Sequence, residues 1–503
     1  MSKKSSVKIN LAASWAAHLV ALLVGVVLMP FVLHTLGDAS YGTWIFINSI
    51  AGYSGLLYLG FGQTVCRYVS RYHARQEWGL LNEVVSVVLG VYLCMGTVAV
   101  AAAALLAWLA PSLHVWSGQS LIEIRLVILM LGLNVALGMT GSVFGGVLMG
   151  IQRFEIHRAV NIVAGLLRLV LTVAFLRAEC GLLILSSIFL GLTILENGGH
   201  LLFAFQKVPT LSIKLKHFRL SALRKYLSFS AFSCLDLLAY QVIEVSDTVI
   251  IGLVYGAKAT VPYYIAFRLC RFITKPVLQI GYVFMPRAGE LHAGMEQHKL
   301  NQLVIKGFGF AFLLIMGFFI GAAFFGRHLL ETWIGSGYES SFLLLLVLLG
   351  TQTIATPVEV LRSVLFGMGR VRVPALLYVV EAAANIALTL VLIGPFGLMG
   401  VALGTAIPVL VVEAFLLMPY ALRQLGLEPG QLIRRALAPQ LLPLVALWGY
   451  SFLVQSLVPL EAAWIPLLAI SAGGGIVLGI AWLGGNWLRR NLEPQRLLQR
   501  KYS

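Results

Sequence analysis

The chain has 503 residues, of which 59% are hydrophobic and 11% are charged. Soluble proteins carry about 25% charged residues, so this composition excludes a soluble enzyme. Lys and Arg number 36 against 20 Asp and Glu, a formal net charge of +16. In a soluble chain this excess would suggest a nucleic-acid partner, but here its meaning depends on where the charges lie.

Apolar runs of 18 residues or more recur along the whole chain, and such runs predict transmembrane helices. The first run is too long for the apolar part of a signal peptide, so it predicts a span that is retained. Tight hairpins are expected at Gly181 and Gly397. The fourteen predicted helices lie at residues 9–33, 41–63, 81–110, 121–148, 156–178, 181–205, 226–254, 260–286, 304–328, 341–367, 373–395, 396–421, 436–457 and 463–486.

Basic residues alternate between the connecting segments as the positive-inside rule requires. The even-numbered connections and the two terminal segments hold 27 of the 36 Lys and Arg. The odd-numbered connections hold only Arg125, Arg177, Lys258 and Arg327. This alternation predicts an even number of crossings with both termini in the cytoplasm. Most of the net charge is then a topological signal in contact with anionic lipid heads, and no nucleic-acid partner is expected.

An offset of 219 residues relates short motifs in the two halves of the chain. Gly37 corresponds to Gly256, and Met149-Gly150 corresponds to Met368-Gly369. Six helices per copy is an even number, so the repeats are parallel, a pattern that places the substrate path between two lobes. The predicted fold class is an all-α polytopic membrane protein with 14 transmembrane helices, built from two parallel six-helix repeats and an extra C-terminal helix pair. The predicted boundaries are an N-terminal lobe at 1–206, a basic cytoplasmic linker at 207–225, a C-terminal lobe at 226–421, and helices 13 and 14 with a basic tail at 422–503.

The chain carries no recognisable motif of a soluble catalytic site. It has no P-loop, HExxH sequence or nucleophile elbow, and its five cysteines form no CxxC pair. We therefore expect no enzyme activity, no cofactor and no metal site. The predicted outer loops, such as residues 34–40, are too short for an independent domain. This argues against a membrane glycosyl transferase or polymerase, which is the least favoured alternative.

Three cations share one face of predicted helix 8. Arg268, Arg271 and Lys275 occupy positions i, i+3 and i+7, and Pro276 directly after them predicts a kink. A charge within the bilayer is costly and normally faces a cavity or a partner. A cationic stripe at this depth suits an anionic headgroup such as a pyrophosphate, for which Arg supplies forked donors.

Acidic residues of predicted helix 7 give these cations an alternative role. Glu244 and Asp247 lie at nearly the depth of Arg268 and Arg271, so the two helices could neutralise one another. Three cations exceed two anions, which favours a substrate-facing role for at least one cation. Glu244 and Asp247 would then tune the cations or exchange a proton. Asp236, with no evident cation at its own depth, is the first candidate for ion coupling.

Other charges within the spans predict structural pairs. Glu359 and Arg362 lie at i and i+3 on helix 10. Arg168 on helix 5 could pair with Glu196 on helix 6. Glu381 and Glu413, like Asp236, have no evident cation at their own depth.

Several motifs resemble one family. They are the segment from Leu36 to Trp44 (LGDASYGTW) after a first helix bearing Pro30, the run Tyr58 to Gly62 (YLGFG) with Arg67, and the run Asp247 to Gly252 (DTVIIG). They look like the polysaccharide-transporter branch of the MATE-like exporter superfamily, which holds the Wzx-type flippases of lipid-linked oligosaccharides. The family often has an acidic residue where this chain has Tyr58, and Gly where it has Val261. The resemblance covers the whole chain and implies a MATE-like fold with a cationic central cavity.

The resemblance implies a transporter that moves an undecaprenyl-pyrophosphate-linked oligosaccharide across the bacterial inner membrane by alternating access. Its expected partners are this substrate, membrane lipids and other polysaccharide assembly proteins. A lipid II flippase is the runner-up, although that family tends to carry arginines on its first two helices and here helix 1 has only His18. A cation-coupled multidrug antiporter of the same fold is a further alternative, against which the basic stripe of helix 8 argues.

Overall fold

The computed structural model describes residues 3–58, 61–116, 118–213, 231–458 and 462–499. Most of the predicted basic linker, from residue 214 to 225, lies outside the described residues, as do the start of predicted helix 7 and Leu59 and Gly60 of the second motif. The regular elements in the described ranges are all helical. The chain divides into two compact units, with the boundary between residues 261 and 262.

The first unit contains seven helices within its described residues, and a 3-10 turn at Tyr53–Tyr58 joins the first two. Gly37 leaves helical geometry and divides α1 into two segments. The helices are α1 (Lys3–Gly52), α2 (Phe61–Ala74), α3 (Trp78–Leu109), α4 (Leu121–Gly150), α5 (Phe154–Phe175), α6 (Gly181–Lys207) and α7 (Ala231–Tyr255).

The second unit follows the same all-helical plan, and two π-helical segments, Val411–Leu417 and Ile433–Leu437, interrupt its later helices. A single turn at Pro429–Leu432 precedes the second π segment. The helices are α8 (Thr260–Ala293), α9 (Gln297–Ile334), α10 (Ser340–Gly367), α11 (Arg372–Leu410), α12 (Met418–Leu425), α13 (Ala438–Leu457) and α14 (Trp464–Gln499).

Eleven helical stretches in the described residues are long and apolar enough to cross a membrane. Two of them far exceed one crossing: 42 residues at Ala16–Leu57 and 54 at Arg372–Leu425. At about 1.5 Å per residue these measure about 63 and 81 Å, against a hydrocarbon core of about 30 Å. The 34-residue helix α8 is not among the eleven, because its cations make it less apolar. The predicted all-α membrane architecture is confirmed, whereas the count of fourteen stays a prediction.

Helix α11 is a hairpin of two antiparallel segments that turns at Gly397. This glycine has φ 59° and ψ −138°, outside helical geometry. Asn385 Nδ2 donates a hydrogen bond to Thr405 Oγ1 at 2.9 Å, and Gly404 packs against the backbone of Thr389. Nearer the turn, Gly400 approaches the carbonyl of Leu392. Residues that precede Gly397 are thus neighbours of residues that follow it, as the sequence predicted for a tight hairpin at this glycine.

Backbone features recur at the 219-residue offset of the sequence motifs. Gly37 has φ 71° and ψ 167°, and Gly256 has φ 84° and ψ 161°. Gln76 and Met295 both adopt left-handed φ values, 58° and 55°, which are uncommon for residues other than glycine. The starts of α3 and α9, and those of α4 and α10, have the same spacing. A duplicated sequence would leave such pairs, although the repeat layout itself stays a prediction.

Each unit has its own apolar core. In the first unit, Leu81, Val85 and Tyr92 of α3 pack with residues of α2 and α4. In the second unit, Leu300, Leu361 and Leu425 join α9, α10 and α12. The second core also includes Ala288 and Leu291, and it therefore holds the C-terminal part of α8.

Candidate functional site

Helix α8 carries all three predicted headgroup-binding cations. It is continuous from Thr260 to Ala293 and passes through Pro276, so the i, i+3, i+7 spacing places the three cations on one face. Arg268, Arg271 and Lys275 are all partly buried. We refer to these three residues as the α8 stripe.

Aromatic rings of the same helix flank the two arginines. The Arg268 guanidinium lies 5.4 Å from the ring centre of Phe272 and 6.0 Å from that of Tyr264. The Arg271 guanidinium lies 5.2 Å from the ring centre of Phe267. Such cation–π contacts stabilise a guanidinium by about 0.5–1 kcal/mol at exposed sites and more when it is desolvated. They help to hold cationic groups at membrane depth.

A second face of α8 borders an apolar cavity of about 590 Å³. Leu269 and Ile273 of α8 line it together with Phe318 of α9, Leu447 of α13 and Leu478 of α14. Residues 269 and 273 are turned by more than 100° from the α8 stripe at 100° per residue. One helix therefore presents cations on one side and an apolar cavity on another.

The three predicted acidic residues lie on α7, in the first unit. Asp247 is only 4% exposed and interacts electrostatically with Tyr53, while Asp236 and Glu244 are half-buried. Gln241 Nε2 of the same helix donates a hydrogen bond of 2.7 Å to the carbonyl of Gly52. The structure thus gathers the three acids on one helix of the first unit and the three cations on one helix of the second. Pairing between the two sets stays a prediction.

A buried charge cluster in the second unit corrects one expectation from the sequence. Arg362 of α10 is 3% exposed and pairs with Glu359 as predicted, Nε to Oε2 at 3.3 Å. Its Nη2 also donates to Oε1 of Glu413, which was predicted to have no cation at its depth. That prediction was wrong. The guanidinium lies 4.0 Å from the ring centre of Tyr378. Glu381 of α11 is buried, 3% exposed, and interacts electrostatically with Arg362 and Glu413.

Two features of the Arg362–Glu413 pair explain why the sequence did not predict it. Glu413 lies in the π segment Val411–Leu417, where the wider turn shifts the residues away from the register of an α-helix. It also lies 51 residues from Arg362 in the chain. Depth counted at 1.5 Å per residue along a regular helix therefore misplaces its carboxylate.

The first unit holds a histidine pair that sequence reasoning also missed. His157 Nδ1 lies 2.9 Å from His200 Nε2, within hydrogen-bond distance. Further along α5, the Arg168 guanidinium lies 4.5 Å from the ring centre of Phe189 and interacts electrostatically with Glu196, its predicted partner. Within the described residues, no group of three or more His, Cys, Asp or Glu is arranged to hold a metal ion.

A family model described as "Polysaccharide biosynthesis protein" matches residues 8–292, more than half of the chain. The chain belongs to the polysaccharide biosynthesis protein family. The predicted family membership is thereby confirmed.

The chain is similar to known proteins over most of its length. It is 22% identical over 468 residues to the uncharacterized membrane protein EpsK of Bacillus subtilis (strain 168), covering 92% of each chain. Among solved structures, an inward-facing multidrug resistance MATE family transporter of the MOP superfamily matches with a TM-score of 0.71 at 15% identity, covering 83% of this chain and 98% of the other. The lipid II flippase MurJ in an inward closed conformation matches with a TM-score of 0.70 at 12% identity, covering 96% and 99%. These likenesses confirm the MATE-like fold.

Proposed function

We propose that this protein moves an undecaprenyl-pyrophosphate-linked oligosaccharide, a repeat unit of O-antigen, capsule or exopolysaccharide, across the bacterial inner membrane by alternating access. The observation that carries the proposal is the α8 stripe, three cations on one face of a helix in a chain of the polysaccharide biosynthesis family. Arg268, Arg271 and Lys275 would hold the pyrophosphate through charge-assisted hydrogen bonds.

The apolar cavity beside α8 supports a substrate that has a lipid chain as well as a charged head. Residues of α13 and α14, among them Leu447 and Leu478, line it together with Leu269 of α8. A polyprenyl chain that occupies this cavity would lie beside the helix that binds its headgroup. This assigns the C-terminal helix pair a role as a wall for the lipid.

The membrane arrangement we propose has fourteen crossings and two parallel six-helix repeats, with both termini in the cytoplasm. Two observations support the count: α1 and α11 each contain a non-helical glycine within a stretch too long for one crossing, and α8 is long enough to cross with 34 residues. The recurring left-handed positions support the repeats. The lobes would span residues 1–206 and 226–421, joined by the linker at 207–225.

The test is translocation in vesicles. Purified protein is reconstituted with a fluorescent undecaprenyl-pyrophosphate oligosaccharide, and the fraction accessible to a membrane-impermeant quencher is followed under defined ion gradients. Replacing Arg268 and Arg271 together by Gln should lower the translocation rate by about tenfold or more, because hydrogen bonds to charged groups contribute about 1.5–3 kcal/mol each.

The matched control is Arg287→Gln. Arg287 lies near the end of the same helix, is exposed and pairs with Glu290 at 2.7 Å, and surface pairs contribute little, so its variant should translocate like the wild type. A double variant that is as active as the wild type would refute the headgroup site. Translocation no greater than in empty vesicles, under every gradient, would refute the function.

Lipid II is the second candidate substrate, because the MurJ structure matches 96% of this chain. Both substrates carry a polyprenyl pyrophosphate, so the α8 stripe alone does not separate them. Competition in the same vesicles does: unlabelled lipid II should leave transport of the labelled oligosaccharide unchanged if the glycan is recognised, and should suppress it if lipid II is the substrate.

A further inference from the structure

The first unit contains an apolar cavity of about 500 Å³ that the proposed function does not use. Residues of α1, of the 3-10 turn after it, of α3 and of α4 line this cavity, and the lining is aliphatic apart from Tyr53 and Ser54. Small residues of α3 and α4, among them Ala99, Ala102 and Gly132, leave room for it. We refer to this space as the α3–α4 cavity.

The α3–α4 cavity opens to the outside of the unit along α3. Its lining residues Val98, Leu105 and Leu109 are 50%, 56% and 39% exposed, and α3 is one of the stretches apolar enough to cross a membrane. The lining of α3 from Val98 to Leu109 measures about 16 Å along the helix. Half of the hydrocarbon core of a bilayer measures about 15 Å. The cavity therefore matches the length of one acyl chain in one leaflet.

A guanidinium lies at the end of the cavity where α3 ends and α4 begins. Arg125 of α4 is exposed, and its Nε donates a hydrogen bond of 3.1 Å to the carbonyl of Ala107, next to the lining residue Leu106. Arg125 precedes the lining residue Ile128 by three positions, so both lie on one side of α4. Within the described residues this guanidinium has no ion pair and no other hydrogen bond, so its remaining N–H groups can bind an anion.

The surroundings of Arg125 favour a lipid phosphate as that anion. Glu123 is turned by about 200° from Arg125 around α4, and it forms no ion pair with Arg125 in the described part of the chain. Trp108, next to Ala107, is 71% exposed, and Trp is enriched at membrane–water interfaces. Lipid phosphates lie at the same interface, at the end of the acyl chains.

We propose that the α3–α4 cavity binds an acyl chain of a membrane glycerophospholipid whose phosphate is held by Arg125. The apolar length and the cation at one end correspond to the two parts of this ligand. A polyprenyl chain is much longer than the depth of one leaflet and fits the cavity poorly. The bound lipid would contact α1, α3 and α4 together and stabilise the first unit, because a ligand that binds only the folded state raises its stability. The proposal does not depend on the proposed function.

Photo-crosslinking tests the position of the acyl chain. The full-length protein is reconstituted in vesicles with phosphatidylglycerol that carries a diazirine on one acyl chain, and labelled peptides are identified by mass spectrometry after illumination. The label should concentrate on the lining segments 47–57, 98–109 and 128–135. Ala102→Phe places a ring in the cavity and should remove most of this label. The matched control is Ala104→Phe, at an exposed position of the same helix outside the lining, which should keep the wild-type label.

A titration with the same probe tests the phosphate contact. Arg125→Gln should raise the probe concentration for half-maximal labelling by about tenfold, because it removes a hydrogen bond between two charged groups. Arg177→Gln is the control: Arg177 is also exposed and also donates to a backbone carbonyl, that of Leu176 at 3.3 Å, but it does not line the cavity. A diacylglycerol probe with the same chain lacks the phosphate, so it should label the wild type and Arg125→Gln equally.

Three results would overturn the proposal. Equal labelling of the Ala102→Phe and Ala104→Phe variants would show that the probe only coats the surface. Unchanged half-maximal labelling in Arg125→Gln would remove the phosphate site, and this variant at an exposed position keeps the test valid if Ala102→Phe does not fold. Displacement of the probe by unlabelled undecaprenyl-pyrophosphate oligosaccharide would assign the cavity to that substrate. The labelling needs no transport, so it gives the same result if the vesicles show no translocation.

Discussion

Arg362 is the residue on which two acidic partners of the second unit converge, Glu359 and Glu413. The Glu359–Arg362 pair follows from i, i+3 spacing on one helix, and that pair is present. The Arg362–Glu413 pair joins different helices and depends on a π segment, so hydropathy and depth counting could not predict it. The three cations of α8 were predictable because they lie within two helical turns of one another.

Arg362 should be essential for stability. Arg362→Met leaves the buried Glu413 without its cation, and breaking such a pair costs about 3–5 kcal/mol. The expected result is a clear fall in the midpoint of thermal unfolding, measured by tryptophan fluorescence of the detergent-purified protein. The double variant Arg362→Met with Glu413→Gln should recover part of the loss, because it removes one uncompensated charge.

Arg327→Met serves as the comparison. Arg327 is exposed, and its guanidinium lies 5.8 Å from the ring centre of Phe342. It should unfold within a degree or so of the wild type, as surface changes usually do. If Arg362→Met were as stable as Arg327→Met, the cluster would contribute little to the fold.

At the scale of elements, glycines determine where the long helices divide. The sequence indicated a hairpin at Gly397, and the contacts of Gly400 and Gly404 on its second segment agree. The boundaries of most other helices lie within a few residues of their predicted positions, because apolar runs and basic ends mark them. The two π segments were not predictable, since no simple composition distinguishes a π turn from an α turn.

Gly404 should tolerate no side chain. A Cβ there would lie 2.5 Å from Thr389 Oγ1 and 2.7 Å from Thr389 Cα, so Gly404→Ala should destabilise the hairpin by about 1–3 kcal/mol through overpacking. Gly449→Ala on α13 is the matched change, with nothing within 4 Å of its new Cβ. It should be neutral or stabilising by up to about 1 kcal/mol.

The readout for both glycine variants is the fraction of expressed protein that stays monodisperse after detergent extraction and heating. An equal monodisperse fraction for the Gly404 and Gly449 variants would contradict the packing described for the hairpin.

At the scale of the whole molecule, the number of crossings decides on which side of the membrane the termini lie. Eleven crossings, the number of stretches that meet the length and composition requirements in the described residues, would leave the termini on opposite sides. Fourteen crossings would leave them on the same side. The alternation of basic residues predicts the even number.

Fusions of green fluorescent protein to either terminus test this directly, because the fusion partner fluoresces only in the cytoplasm. We expect both fusions to fluoresce, and a cysteine introduced at Ser120 to react with an impermeant maleimide from outside. Fluorescence from only one fusion would exclude fourteen crossings.

The contacts of helix α7 determine where the chain should be cut to make expression fragments. The predicted repeat begins with this helix, but Gln241 donates a hydrogen bond to the Gly52 carbonyl and packs against Gly55, both in the first unit. An expression fragment that ends in the basic linker would lack α7, so Gly52 and Gly55 would lose their contacts with Gln241. A fragment that continues to residue 261 retains these contacts. The useful cloning boundary therefore lies one helix beyond the lobe boundary that was predicted from the sequence.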